Sequence, residues 1–259
     1  MLRNLSCIAI FLVCREIPLE RRSHLHRGIS GFAYDDRDPE QPHFYLSEDF
    51  VFGAIRRFTP TVVNETDPWS MLTGTGITEY LRLNPDPNDP TENTGSFSWT
   101  REIMLGRANA AQNYPESQGI DVSGATLAFV VQGLKQLFLL DLDTMEYKRT
   151  GTSMGLMDGE PNEIRYVTGS NNQRLLYMTE SEQNTRQAGV HARTDAGVLY
   201  TVLEGLGDSH QPLSSGFALS PDGKHMYVAF KLDGLLYDIT RDDGLSFFDP
   251  ALDYEVTPK

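Results

Sequence analysis

The chain is poor in cysteine. Its 259 residues hold two, Cys7 and Cys14, both close to the amino terminus. No disulfide framework and no cysteine-rich zinc site can be built for the body of the protein. Histidine is scarce too, at six residues, and His24 and His26 fall in the same leading segment. No stretch keeps a helical hydrophobic period with caps at both ends, which excludes an all-helical fold. Positive charge is in deficit: 22 Lys and Arg stand against 36 Asp and Glu, a net charge of −14. That surface repels nucleic acid and anionic membrane, so neither is an expected partner. There is no Gly-x-Ser-x-Gly elbow, no His-Glu-x-x-His, no Walker loop and no Rossmann glycine fingerprint. Serine-nucleophile hydrolysis and nucleotide chemistry lose their usual support.

Long apolar runs are also missing. The opening MLRNLSCIAIFLVC has one basic residue and then about ten mostly apolar ones, the charged start and apolar centre of a signal peptide. It is too short to span a bilayer as a helix. REIPLERRSHLHR follows where a small-residue cleavage site would stand. Residues 1–26 are therefore expected to be a leader or signal-like segment, and the location a secreted or periplasm-like, extracytoplasmic one. A poorly ordered leader, or the truncated beginning of a longer chain, is the rival reading.

What the chain does have is repetition. Ser30-Gly31-Phe32-Ala33-Tyr34 runs through DDRDPEQP into HFYLSED. Gln118-Gly119-Ile120-Asp121-Val122 runs through SGA into TLAFVVQ. Asn162-Glu163-Ile164-Arg165-Tyr166 runs through VTGSNNQ into RLLYMTE, and Ser215-Gly216-Phe217-Ala218-Leu219 through SPDG into KHMYVAF. Each unit is a strand, a turn of Asp, Asn, Gly, Ser or Pro, and a second strand. Third strands are expected at GAIRRF, LFLLDLD, VLYTVLE and LLYDITR, and outer strands at TEYLRL and MEYKRT. The last three units begin about 45 to 50 residues apart, the blade period of a β-propeller. The expected fold is all-β, a β-propeller over residues 27–259. It would have four recognisable blades in a five- or six-bladed ring, and a long exposed loop at about 60–100. A stacked β-sandwich is the alternative. REIMLGRANAAQN at 101–113 reads as a short helix or an irregular loop.

In a propeller the first strand of each blade lines the channel, and loops at one end converge on the axis. Carboxylates at first-strand starts and second-strand ends share that end. Glu116 and Glu160 stand at first-strand starts; Glu48, Asp49, Glu180 and Glu182 stand at second-strand ends. Hard cations such as Ca²⁺ take about six to eight oxygens, so carboxylates drawn from several blades could hold one. His191 and His210 are the better-placed histidines, and His210 is a candidate acid, base or ligand at the channel mouth.

GFAYDDRDP, FYLSED, GAIRRFTP, ESQGIDVSGATLAFV, LFLLDLDT, GEPNEIRYV, LLYMTES, AGVHAR, GFALSPDGKHMYVAF and GLLYDITRDDG follow in that order over about residues 28–248. This ordered set resembles PhoX-type alkaline phosphatases and their propeller relatives. The resemblance implies a metal-dependent phosphomonoesterase acting on a small phosphate ester. Calcium and iron would be held by carboxylates, with Glu48, Asp49, Glu116, Glu160 and Glu180 as the matching metal ligands. His210 and Arg193 would be catalytic, with Arg107 as a second candidate for phosphate contact. The chain departs from that pattern in lacking the tryptophan-rich stretch ending in an iron-binding Cys and paired Glu. It also carries Ser30 and Gln118 where relatives place Glu before the strand glycine. Calcium is therefore the expected cation and iron comes second. A calcium-dependent lactonase-like hydrolase, in which Asn162 would matter, and a non-catalytic propeller binding a partner or glycan stay open as alternatives.

Overall fold

The computed structural model describes residues 28–64, 66–154, 157–169, 173–181, 189–204, 214–230 and 234–248. They divide into two compact units, one ending at Thr150 and one beginning at Gly151. Both are built of antiparallel meanders, and the chain is an all-β protein of β-propeller blades.

The first unit holds two blades. Blade 1 runs β1 (Gly28–Asp35), β2 (His43–Asp49), β3 (Arg56–Pro60) and β4 (Gly76–Pro85). Blade 2 runs β6 (Ser117–Ser123), β7 (Thr126–Val131), β8 (Gln136–Asp141) and β9 (Glu146–Gly151). An extra strand, β5 (Thr94–Thr100), pairs with β4 and also with β9, through Thr94↔Lys148 and Ser96↔Glu146. This joins the outer edges of the two blades into one nine-stranded sheet. The inner strands β1 and β6 lie side by side, so the sheet curls back on itself. The core inside is aromatic and aliphatic: Tyr45, Leu81, Phe97, Tyr114, Phe129 and Phe138 are all buried. Phe129 and Phe138 stack with centroids 4.8 Å apart and planes 2° from parallel. Each such ring is worth about 2 to 3 kcal/mol of burial.

The second unit holds blade 3, with β10 (Glu160–Thr168), β11 (Arg174–Ser181), β12 (Gly189–Thr194) and β13 (Leu199–Glu204). Blade 4 has β14 (Ser214–Leu219), β15 (His225–Phe230) and β16 (Leu235–Thr240). Val167, Tyr177, Val190, Ala192, Phe217, Met226 and Val228 form their common core.

The four repeats correspond to the four inner hairpins. Each hairpin carries a register shift near the start of its first strand: between Ile29 and Gly31, Ser117 and Ile120, Pro161 and Ile164, and Ser214 and Gly216. The glycine and small polar residues that open these strands therefore sit at bulges, where one strand bends and a backbone comes close. At Gly31 a Cβ would lie 2.8 Å from both Ser47 Oγ and Ile120 Cγ2, so only glycine lets β1 and β6 approach this closely.

Two expectations need correction, and the alternatives left open at 101–113 resolve to a helix. The region 60–100 is not a long loop. It contains helix α1 (Pro68–Thr73), β4 and β5. The Asp, Asn and Pro cluster makes only the short turn between β4 and β5, organised by Asp89, which accepts from the N–H groups of Thr91, Asn93 and Thr94, and by Asp86, which accepts from Asn88. VLYTVLE is the fourth strand of blade 3, not the third; the third is GVHART, whose His and Arg disguise it. Residues 103–113 form helix α2 (Ile103–Asn113), which packs on β4. Asn109 brackets the Leu83 N–H and C=O at 2.8 Å each, and the buried Tyr114 hydroxyl donates to the Leu81 carbonyl at 2.7 Å. Among the described residues no helix is long and apolar enough to cross a membrane.

Candidate functional site

In the first unit, Glu48, Asp49 and Glu116 do lie at one end of the blades. The Glu116 N–H donates to the Phe50 carbonyl at 3.3 Å, one turn beyond Glu48. Asp49 and Glu116 are exposed. Glu48 is 1% exposed, and both its oxygens are engaged within its own blade. Oε1 accepts from the Arg56 guanidinium, and Oε2 accepts from the Ala54 N–H at 3.3 Å. The cause is register. Leu46 pairs with Arg56 across β2 and β3, and Glu48 stands two residues further along the same face.

Blade 3 repeats this geometry. Met178 pairs with His191 across β11 and β12, and Glu180 stands two residues beyond Met178. Glu180 is 2% exposed and His191 is fully buried. Glu180 Oε1 accepts from the Gly159 N–H, and Oε2 lies 3.0 Å from His191 Nε2. His191 Nδ1 lies 3.1 Å from Thr201 Oγ1. An ionised carboxylate only accepts, so Nε2 donates to Glu180, and Nδ1 lies against the Thr201 hydroxyl. Glu160 is half-buried opposite Ser181, at the same end of its blade as Glu180.

Blades 2 and 4 have no such carboxylate. Hairpin register puts Val131 and Phe230 at the positions of Glu48 and Glu180, and Gln132 lies one residue beyond Val131. Gln132 has another use. Ser30 Oγ donates to Gln118 Oε1 at 2.7 Å, and Gln118 Nε2 donates to Gln132 Oε1 at 3.1 Å. Ser47 Oγ donates to the Gln118 carbonyl. Ser30 and Gln118 are thus neutral groups hydrogen-bonded to each other at the starts of β1 and β6.

The remaining candidates lie on β12, on α2 and at the start of β10. Arg193 is half-buried on β12 near Gly197, and burial pulls its guanidinium below its ordinary pKa. Arg107 is half-buried on α2, and Asn162 is half-buried near the start of β10. His210 and Glu182 lie outside the described residues. His43 accepts or donates at Nδ1 with Thr59 Oγ1 at 2.8 Å, and its pKa is lowered mainly by burial and then by Arg57.

Calcium needs a shell of about six to eight oxygens free to turn towards it. Among the described residues no group of three or more His, Cys, Asp or Glu is placed to hold a metal. The two buried carboxylates already face protein donors, and Arg56 brings its own positive charge to Glu48. The described residues as arranged do not fit a calcium or iron centre.

The sheets and their bulged inner hairpins define an all-β protein of propeller blades. No family model matches the chain, and no curated protein matches it. Among solved structures it is similar to a nidogen/laminin complex, at 16% identity and a TM-score of 0.47 over 83% of this chain. It covers 65% of that chain, less than two thirds of its length. It is also similar to hydrazine synthase of Kuenenia stuttgartiensis, at 9% identity and a TM-score of 0.36, covering 86% of this chain and 80% of that one. Likenesses at this level carry no functional argument.

Proposed function

We propose that the chain is a PhoX-like propeller that works as a non-catalytic binding module. The observation that supports this most is the repeated pairing of Glu48 with Arg56 and of Glu180 with His191. Glu48 and Glu180, the two buried carboxylates at second-strand ends, are each engaged by a basic or imidazole partner on the third strand of their own blade. The Ser30–Gln118–Gln132 chain adds to it by holding neutral groups where carboxylates would be needed. These contacts fix the inner hairpins to their neighbours and leave the exposed turns free for a partner.

One observation favours a second reading. Glu48 and Glu180 occupy equivalent positions in two blades, which is the phase that a PhoX-type, calcium-dependent phosphomonoesterase would use. Hydrolysis of a generic aryl phosphate, with and without added calcium, separates the two, together with the metal content of the purified protein. The binding module shows no hydrolysis in either condition and retains no metal. Calcium-stimulated turnover that is lost in Glu48→Gln and Glu180→Gln, in folded protein, overturns it. A single retained divalent ion without phosphatase activity would point to the lactonase-like chemistry instead.

A further inference from the structure

Two turns stand side by side at one end of the first unit. One follows β2, Phe50–Gly53, and the other follows β7, Gln132–Lys135. Glu116 ties them together. Its N–H donates to the Phe50 carbonyl, and its Oε2 lies 3.5 Å from where a Cβ on Gly133 would be. Glu116 holds φ at +58°, a left-handed conformation that disfavours any residue with a Cβ. Glycine would relieve that strain, yet an exposed carboxylate stands there, and strain of this kind clusters at sites of function. Around it three apolar side chains face solvent: Val51 at 45%, Phe52 at 55% and Leu134 at 45% exposure. Asp49 and Glu116 supply two exposed negative charges, while the charge of Glu48 is taken up by Arg56. Within the two turns the sole cation is Lys135.

We propose that this end of blades 1 and 2 docks a basic, apolar peptide segment of a partner protein. An aromatic or aliphatic side chain of the partner seats against Phe52, Val51 and Leu134, and a neighbouring Lys or Arg faces Asp49 and Glu116. Clustered exposed apolar groups with a charged rim are the usual composition of a protein-binding patch. The sign of the rim selects the partner, because opposite charge steers the encounter and like charge is rejected. A net charge of −14 adds to that steering. The inference rests on the binding-module reading and names its partner class.

The test is fluorescence anisotropy with a short fluorescein-labelled peptide alternating Lys with Phe and Leu. Its counterpart with Glu in place of Lys, neutral-lipid vesicles and a neutral oligosaccharide serve as comparison ligands. Phe52→Ser and Leu134→Ser, which change no charge, are each expected to weaken the Lys peptide roughly tenfold. Glu116→Gln weakens it about threefold, and salt erases that difference. Val62→Ser, an exposed apolar residue beyond the far end of β3, leaves it unchanged. Equal binding of the Glu peptide, or no change in Phe52→Ser and Leu134→Ser, overturns the proposal. So does patch-dependent binding of vesicles or oligosaccharide without binding of the Lys peptide. The aryl phosphate assay is independent: inactivity there combined with failure here removes the peptide proposal and leaves the binding-module reading standing.

Discussion

Replacing Arg56 by Met tests the assignment of Glu48 directly. Methionine keeps most of the length and apolar stem of Arg56 but leaves the Glu48 carboxylate, 1% exposed, with only the Ala54 N–H at 3.3 Å. Breaking a buried pair from one side costs about 3 to 5 kcal/mol, because the remaining charge keeps its desolvation penalty. The side chain of Arg56 is 14% exposed, so some water reaches the site, and the lower end of that range is expected. Both tryptophans, Trp69 and Trp99, lie in the first unit by sequence, so urea unfolding followed by tryptophan fluorescence reads this unit. At an m value near 2 kcal/mol/M the midpoint falls by about 1.5 M. Adding Glu48→Gln to Arg56→Met removes the charge and recovers most of the loss. A midpoint shift equivalent to less than about 1 kcal/mol, or no recovery in the double variant, would refute the claim that Arg56 neutralises Glu48.

Two further outcomes follow from local geometry. Gly31→Ala puts a methyl 2.8 Å from Ser47 Oγ and Ile120 Cγ2 and 2.9 Å from the Ile120 nitrogen. The backbone atom cannot swing aside, so the same unfolding assay should show a loss of about 1 to 3 kcal/mol. Asp89 is held at a pKa of about 2, first by the Thr91 hydroxyl and then by the Thr94 hydroxyl. Its depressed value gives stability that is present above the ordinary carboxylate range and lost as pH falls through about 2; carbon-detected NMR titration should find this Asp protonating well below that ordinary range.

Much of this was legible before any coordinates. The restart of strand, turn and strand marks the four inner hairpins because turn residues and β-branched runs are local signals. Glu48 and Glu180 share a phase in the sequence, and they occupy the same place in their blades. The polar openings of the inner strands, such as ESQGI, also read correctly as unusual, and the register shifts supply the reason. The β4 and β5 strands were partly hidden because Pro, Asp and Asn crowd the turn that joins them. GVHART was hidden because a charged strand in mid-blade gives no alternation to count.

Phase fixes which side chains reach one end of a blade, but it says nothing about what they meet there. A carboxylate at a strand end looks the same in sequence whether it awaits a cation or already holds one. The difference lies on the third strand, in whether the residue opposite position i is basic when a glutamate stands at i+2. Here Arg56 faces Leu46 and His191 faces Met178, and both glutamates are answered. In blades 2 and 4 the same diagonal joins Val131 to Phe138 and Phe230 to Tyr237, and no acid is present to answer. Acid and basic partner therefore occur together or not at all across the four blades.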